Sequence, residues 1–186
     1  VAPSGCILLV PTLLSSGSVA PVADIDKVPV PSELIVAPPM SNVSLDKKAV
    51  FHLLLPEPKS YVPVSLGIKT NNGTTLLIEA TRDLGRQLRM MNNPSIDHLF
   101  ITHAHLGHVD GLGLFGRETM SARNIKLHCS PSMYSLIERT PAWNQLLLQN
   151  VLEFGSFPRI EIDGIIVEFI QVPHRAELSD MHAIII

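Results

Sequence analysis

Residues 102–111 read T-H-A-H-L-G-H-V-D-G, a stretch with three histidines within six residues. The segment that leads into it, I-D-H-L-F-I-T (96–102), is short and apolar, which predicts a β-strand. Each neutral imidazole offers a lone pair to a borderline metal ion such as zinc. His103 and His105, two residues apart, point the same way if the extended geometry continues, and His108 reaches the neighbouring position once the chain turns. The stretch therefore predicts a metal site at a strand end.

A further ligand has to come from another part of the chain. His174 lies in V-P-H-R (172–175), directly after a predicted strand at 165–172. A loop that follows a strand is held by a rigid scaffold and often carries functional residues. His174 is therefore the candidate for this role.

The remaining pattern alternates between strands and helices. Ten of the fifteen prolines lie in residues 1–63, which favours extended segments and turns there. From 64 onward, N-N-G (71–73) predicts a hairpin turn between two strands. Further helices are predicted at 84–91, 112–123, 131–140 and 142–150, and further strands at 125–129, 151–154, 159–162, 165–172 and 183–186.

Length and composition indicate one folded domain with an appendage. The chain has 186 residues, 46% hydrophobic and 17% charged, and a net charge of −3. Its lysines and arginines never cluster in runs longer than two, so the footprint of a nucleic-acid-binding protein is missing. Cys6 and Cys129 are too few for a disulfide framework or a cysteine metal site. We therefore expect no nucleic-acid partner.

The first 23 residues carry no charge. Their apolar run, I-L-L-V-P-T-L-L (7–14), is too short to span a bilayer, so we expect no membrane span. It has the length of a secretory signal core but lacks the basic residues that precede one, and a buried strand or an apolar arm is the alternative. We therefore divide the chain into a Pro-rich apolar N-terminal segment (1–60) and a folded domain (61–186), and favour a cytoplasmic over an exported location.

The motif T-H-x-H-x-x-H after a strand, followed 66 residues later by the P-H turn at His174, resembles the metallo-β-lactamase superfamily. The resemblance covers about residues 61–186 and implies an α/β fold, a four-layer αββα sandwich with a metal site at one edge of its two sheets. It also implies that His103, His105 and His174 bind a first metal ion and that His108 belongs to a second site. The chain stops within an apolar strand (183–186), so we expect the sandwich to be incomplete at its C-terminus and leave pairing with a second copy open.

One position departs from the superfamily pattern H-x-H-x-D-H. Gly107 stands where the pattern has an aspartate that binds the second metal, and Asp110 is out of register with it. One metal ion is therefore expected rather than two, zinc first and iron as the alternative. We assign Asp110 and His182 to supporting positions around the ligands. No catalytic side chain is assigned, because the reacting group implied is a metal-bound water.

The motifs H-A-H-L-G-H, G-R-E (116–118) and P-H-R-x-E (173–177) are similar to those of the branch that contains pyrroloquinoline quinone biosynthesis protein B. This resemblance implies a metal-dependent hydrolase acting on a small molecule, with a role in cofactor biosynthesis, or oxidative chemistry if iron is bound. Two alternatives stay open. One is a non-catalytic protein that binds or carries a metabolite or redox cofactor, and the other is a nucleic-acid phosphodiesterase.

Overall fold

The structure, a computed structural model, describes residues 65–173 and 175–186 with their side chains, and the backbone alone of 8–9, 43–45 and 49–54. The described strands and helices, in chain order, are β1 (Leu8–Leu9), β2 (Val43–Leu45), β3 (Ala49–Leu54), β4 (Ser65–Thr70), β5 (Thr75–Ile78), α1 (Leu84–Met90), β6 (His98–Phe100), α2 (Leu106–Val109), a 3₁₀ helix (Leu112–Phe115), β7 (Ile125–His128), α3 (Pro131–Arg139), α4 (Pro141–Leu148), β8 (Leu152–Phe154), β9 (Arg159–Ile162), β10 (Ile165–Gln171) and β11 (His182–Ile185).

Two sheets organise these elements. The larger sheet has seven strands in chain order from β2 to β8, antiparallel from β2 to β5 and parallel from β5 to β8. The smaller sheet has four antiparallel strands in the order β1-β11-β10-β9. Strands β1, β2 and β3 lie within residues 1–60; β1 pairs with β11 and β3 with β4, whereas β2 pairs with β3. The boundary at residue 60 stays a prediction.

Two apolar clusters join the layers. Neighbouring strand residues face opposite ways, so Leu76 and Ile78 pack towards the four-stranded sheet, against Val167 and Phe169, whereas Leu77 belongs to the cluster on the other face. That second cluster packs the seven-stranded sheet against the helices, with Leu84, Met133, Ile137 and Leu146 among its members. Burying each such side chain contributes about 1.5–3 kcal/mol. The predicted mixed α/β class is confirmed, and the described residues form helix, sheet and sheet layers.

The helix predicted at 112–123 is wrong. The chain forms the short α2, then the 3₁₀ helix Leu112–Phe115, and then a series of turns. Gly116 is extended (ψ 173°), and Ser121 takes a positive φ of 49°, so the backbone folds back instead of continuing as a helix. The backbone N–H groups of Ser121 and Ala122 donate to the carbonyls of Gly116 and Phe115. The weak helix propensity of three closely spaced glycines is consistent with this break.

His128, at the end of β7, is buried in a stack of rings. Its ring lies 4.6 Å from that of Phe100 and 5.2 Å from that of His98, and its Nε2 is 2.9 Å from Nδ1 of His98. Nδ1 contacts the backbone of Ser156. Gly155 leaves room for the ring, because a Cβ there would lie 2.4 Å from it. Burial lowers the pKa of His128 to about 4, and burial also lowers the pKa of His98.

We expect His128 to make folding pH-dependent. Its pKa is about 4 when folded and about 6.5 when unfolded, so the unfolded chain binds more protons between these values. The free energy of unfolding should therefore fall by roughly 2–3 kcal/mol as the pH drops from about 6.5 to 4. Denaturant unfolding at several pH values should show a flatter profile for His128→Gln than for the wild type. Equal slopes for the two proteins would contradict the prediction.

Candidate metal centre

The parallel pairing of β5 and β6 places the candidate site. Ile78 and Phe100, which end these strands, are paired in register, so the residues that follow both strands emerge at the same edge of the sheet. Glu79 follows β5, whereas His103 and His105 follow β6, and α2 carries His108. Residues at the carboxyl ends of parallel strands commonly form ligand sites in α/β proteins.

His103 and His105 converge through their ring nitrogens. Nε2 of His103 lies 3.0 Å from Nδ1 of His105, and the two rings stand nearly perpendicular at 86°. The His103 side chain is fully buried, and its Nδ1 lies 2.8 Å from the hydroxyl of Thr102. Two imidazole nitrogens that meet from different directions can share one metal ion, which supports the predicted grouping of these two histidines.

Glu79 joins the site from the neighbouring strand, and the sequence did not predict it as a site residue. Its carboxylate is 5% exposed and accepts hydrogen bonds from the hydroxyl and backbone N–H of Thr102, at 2.5 and 3.4 Å. Glu79, His103 and His108 each offer a ligand atom, and these atoms all lie within 4.8 Å of one another. Glu79 also takes a positive φ of 68°, which is uncommon outside glycine and asparagine.

His108 faces Glu79 across the site. Its Nδ1 lies 3.1 Å from Oε1 of Glu79, yet the geometry of this contact leaves Nδ1 buried without a well-formed hydrogen bond. Burial opposes protonation of the ring, but the adjacent carboxylate outweighs burial and raises the pKa of His108. The His108 and His103 rings are 4.0 Å apart between centroids. A buried ring nitrogen with an unsatisfied hydrogen-bonding capacity beside two other donors fits a metal-binding group.

The backbone of the metal loop (residues 102–111) docks on the end of β5. The N–H of Ala80 donates to the carbonyl of His108 at 2.9 Å, and the N–H of Gly111 donates to the carbonyl of Ala80 at 2.8 Å. Only a residue without a side chain fits at 111, because a Cβ there would lie 2.0 Å from the carbonyl oxygen of Thr81. This contact fixes His108 relative to Glu79.

Residues 177–180, which follow β10, contact the metal loop. Glu177 Oε2 lies 2.9 Å from Nε2 of His105, and this hydrogen bond lowers the pKa of the carboxyl. The backbone N–H of Ala104 donates to the hydroxyl of Ser179 at 3.1 Å. Asp180 accepts from the hydroxyl of Ser130, at the start of α3. His105 is thereby held on its Nε2 side while its Nδ1 faces His103.

The other predicted site residues are placed differently. Asp110 forms an exposed ion pair with Arg82 at 2.7 Å. His182 lies in β11, where its ring meets those of Phe157 and Phe169 and its buried Nδ1 makes no hydrogen bond within the described part of the chain. His174 lies outside the described residues. The structure therefore brings together His103, His105 and His108, and the supporting roles of Asp110 and His182 stay predictions.

Comparison with known proteins gives matches among solved structures alone. No family model and no curated protein matches the chain. One matching structure is a new diphosphatase from the PhnP family, with 20% identity, a TM-score of 0.50 and coverage of 73% of this chain and 60% of that one. Zn²⁺-bound PqqB from Methylobacterium extorquens matches with 16% identity, a TM-score of 0.50 and coverage of 60% and 40%.

A third matching structure is YhfI from Bacillus subtilis, described as a metallo-β-lactamase fold protein. It shares 12% identity at a TM-score of 0.52, with coverage of 73% of this chain and 57% of that one. The chain thus spans about 40–60% of the length of these structures. At identities this low, the structural similarity shows a common fold and does not show which reaction is catalysed.

Among the described helices, none is long and apolar enough to cross a membrane.

Proposed function

We propose that this chain, which has a metallo-β-lactamase fold, belongs to a metal-dependent hydrolase that acts on a small molecule. The observation that carries the proposal is the convergence of Nε2 of His103 and Nδ1 of His105, 3.0 Å apart, beside the buried Nδ1 of His108. Three imidazoles at one strand end form a donor set that suits zinc, with iron as the alternative.

His103, His105 and His174 would hold the metal ion, with His108 and Glu79 beside them. A metal ion of this kind supplies a nucleophile by lowering the pKa of a bound water towards ~7, and it polarises a carbonyl or phosphoryl oxygen of the substrate. The similarity to a diphosphatase structure and to a Zn²⁺-bound structure supports hydrolysis and zinc. A role in cofactor biosynthesis rests on the motif resemblance of residues 103–108 and 173–177.

The side chains around the ligands orient them. Glu79 accepts from Thr102, and the same Thr102 hydroxyl lies 2.8 Å from Nδ1 of His103, so this chain of contacts fixes the ring whose Nε2 faces the site. Glu177 holds His105 in the same way through Nε2. Carboxylate and hydroxyl partners of this kind set the tautomer and direction of a ligating histidine. Complete burial of His103 keeps bulk water away from that side of the site.

Metal analysis of the purified chain, followed by hydrolysis assays with nitrophenyl esters and phosphodiesters, tests the proposal. We expect bound metal and metal-dependent hydrolysis in the wild type, and loss of both in His103→Ala. His98→Ala is the matched control, because His98 begins β6 and contacts His128 instead of the metal loop. Metal content that is equal in the wild type and His103→Ala would overturn the proposal. Bound metal with unchanged substrates would favour a carrier protein.

We predict at most one tightly bound metal ion per chain. Gly107 has no side chain to coordinate a second ion or to neutralise its charge. Replacing it with aspartate should raise the stoichiometry towards two, measured by elemental analysis after equilibrium dialysis. Gly113→Asp is the matched control, since position 113 is open and lies in the 3₁₀ helix. Two ions in the wild type would contradict the prediction and would mean that Asp110 or another carboxylate replaces the missing aspartate.

A further inference from the structure

A cleft lies beside the amino ends of β7 and β8, at the opposite end of the parallel strands from the metal centre. It has a volume of about 600 Å³, and residues of two segments line it, Arg117, Ser121 and Arg123 before β7, and Leu148, Gln149 and Val151 before β8. Strands β6, β7 and β8 run parallel, and the metal loop follows the carboxyl end of β6, whereas these segments precede the amino ends of β7 and β8. The arginine cleft, as we name it, is therefore separate from the metal centre.

Among the described residues, the lining of the arginine cleft carries two positive charges, Arg117 and Arg123, and no acidic side chain. Arg117 and Arg123 are exposed, and within the described part of the chain neither forms an ion pair with a carboxylate. This stands out in a chain whose net charge is −3. A guanidinium group has a planar fork of donors that matches the oxygens of phosphate, and two such groups around one cavity suit a divalent anion.

The walls of the arginine cleft are fixed by backbone hydrogen bonds. The N–H of Ser121 donates to the carbonyl of Gly116 at 2.9 Å, and the Ser121 hydroxyl donates to the carbonyl of Arg117 at 2.9 Å. The N–H of Asn124 donates to the carbonyl of Asn150 at 2.9 Å, which joins the two segments. A site whose backbone is already ordered loses less entropy when a ligand binds.

The composition of the lining indicates the kind of ligand. Leu148 is 67% exposed at the cleft, next to the polar group of Gln149, so an apolar surface adjoins the two arginines. The volume falls in the range of small-molecule sites, roughly 300–1,000 Å³, and two arginines are too few for a nucleic-acid surface. We propose that the arginine cleft binds a phosphorylated small molecule, whose phosphate contacts Arg117 and Arg123 and whose apolar portion packs on Leu148.

The test is an NMR titration of the full chain with phenyl phosphate, with inorganic phosphate and benzyl alcohol as comparison probes. We expect saturable shifts of the signals of 117–123 and Leu148 with phenyl phosphate, weaker binding of inorganic phosphate and none of the neutral alcohol. Arg117→Gln and Arg123→Gln should each weaken phenyl phosphate at least tenfold, and Arg117→Lys should recover part of the loss. Arg86→Gln, an exposed arginine on α1, is the matched control and should bind as the wild type.

Other outcomes would overturn the proposal. These are equal affinity in the wild type and both glutamine variants, absence of saturable binding in the millimolar range, and shifts confined to residues 103–108. The last outcome would place the phosphate at the metal centre. His103→Ala separates this proposal from the proposed function, because loss of the metal should leave phenyl phosphate binding at the arginine cleft unchanged.

Discussion

Gly111→Ala is expected to lower the free energy of unfolding by about 3 kcal/mol, the upper part of the usual range for an overpacked site. The added Cβ would lie 2.0 Å from the carbonyl oxygen of Thr81 and 2.8 Å from its carbonyl carbon. These are backbone atoms, and the neighbouring Ala80 is held by hydrogen bonds in both directions, to His108 and Gly111. The clash therefore cannot be relieved by turning a side chain, and the metal loop has to move.

Thermal and denaturant unfolding measure this effect. For a chain of this size, about 3 kcal/mol corresponds to a loss of roughly 6–12 °C in Tm. Gly113→Ala is the matched control, because a Cβ at 113 meets nothing within 4 Å. It should be neutral or slightly stabilising, since alanine restricts the unfolded chain. Similar Tm values for the two variants would show that the metal loop does not depend on the contact between Gly111 and Thr81.

Glu79→Gln is expected to weaken metal binding about 10- to 100-fold, the usual effect of removing a charged partner of ligating histidines. The amide keeps the size of the side chain but removes the negative charge that faces His108 at 3.1 Å. It also places an NH₂ group where one carboxylate oxygen accepts from Thr102. The fold should persist, because no apolar contact is lost.

Competition with a chelating metal indicator gives the affinity. Asp110→Asn is the matched control, since it makes the same chemical change in the metal loop at an exposed pair with Arg82. Exposed pairs contribute about 0–1 kcal/mol, so the affinity should change by less than about fivefold. A larger loss for Asp110→Asn than for Glu79→Gln would contradict this prediction and would support the role of Asp110 beside the ligands.

Much of the fold follows from local patterns. The apolar run of β5 is buried at every position, and Lys69 is the exposed residue of β4, because both faces of these strands are covered. The spacing of apolar residues in 112–123 predicts a continuous helix and does not indicate the break after Phe115. Which strands share a sheet depends on contacts between distant segments, such as β1 with β11, and no local pattern contains that information.

The candidate site also contains residues that the sequence predicts and one that it does not. His103, His105 and His108 are recognisable because they lie within six residues, whereas Glu79 lies 23 residues before Thr102 and reaches it through the parallel register of β5 and β6. An acidic residue directly after a buried apolar strand was the available signal. Asp110 is nearer in sequence, but the turn after α2 directs it towards Arg82. Sequence proximity predicted the histidines and failed to identify the carboxylate beside them.

The hydrogen bonds between the metal loop and residues 177–180 have a kinetic consequence. Residues 177–180 lie between β10 and β11 of the four-stranded sheet, whereas the metal loop follows β6 of the seven-stranded sheet. Three hydrogen bonds join the two sides: Ala104 with Ser179, His105 with Glu177, and Ser130 with Asp180. Such contacts open together as a local unfolding event instead of one rotamer at a time. Metal exchange at this edge should therefore be gated by that opening, on a timescale of microseconds to seconds, and not by the picosecond-to-nanosecond motion of single side chains.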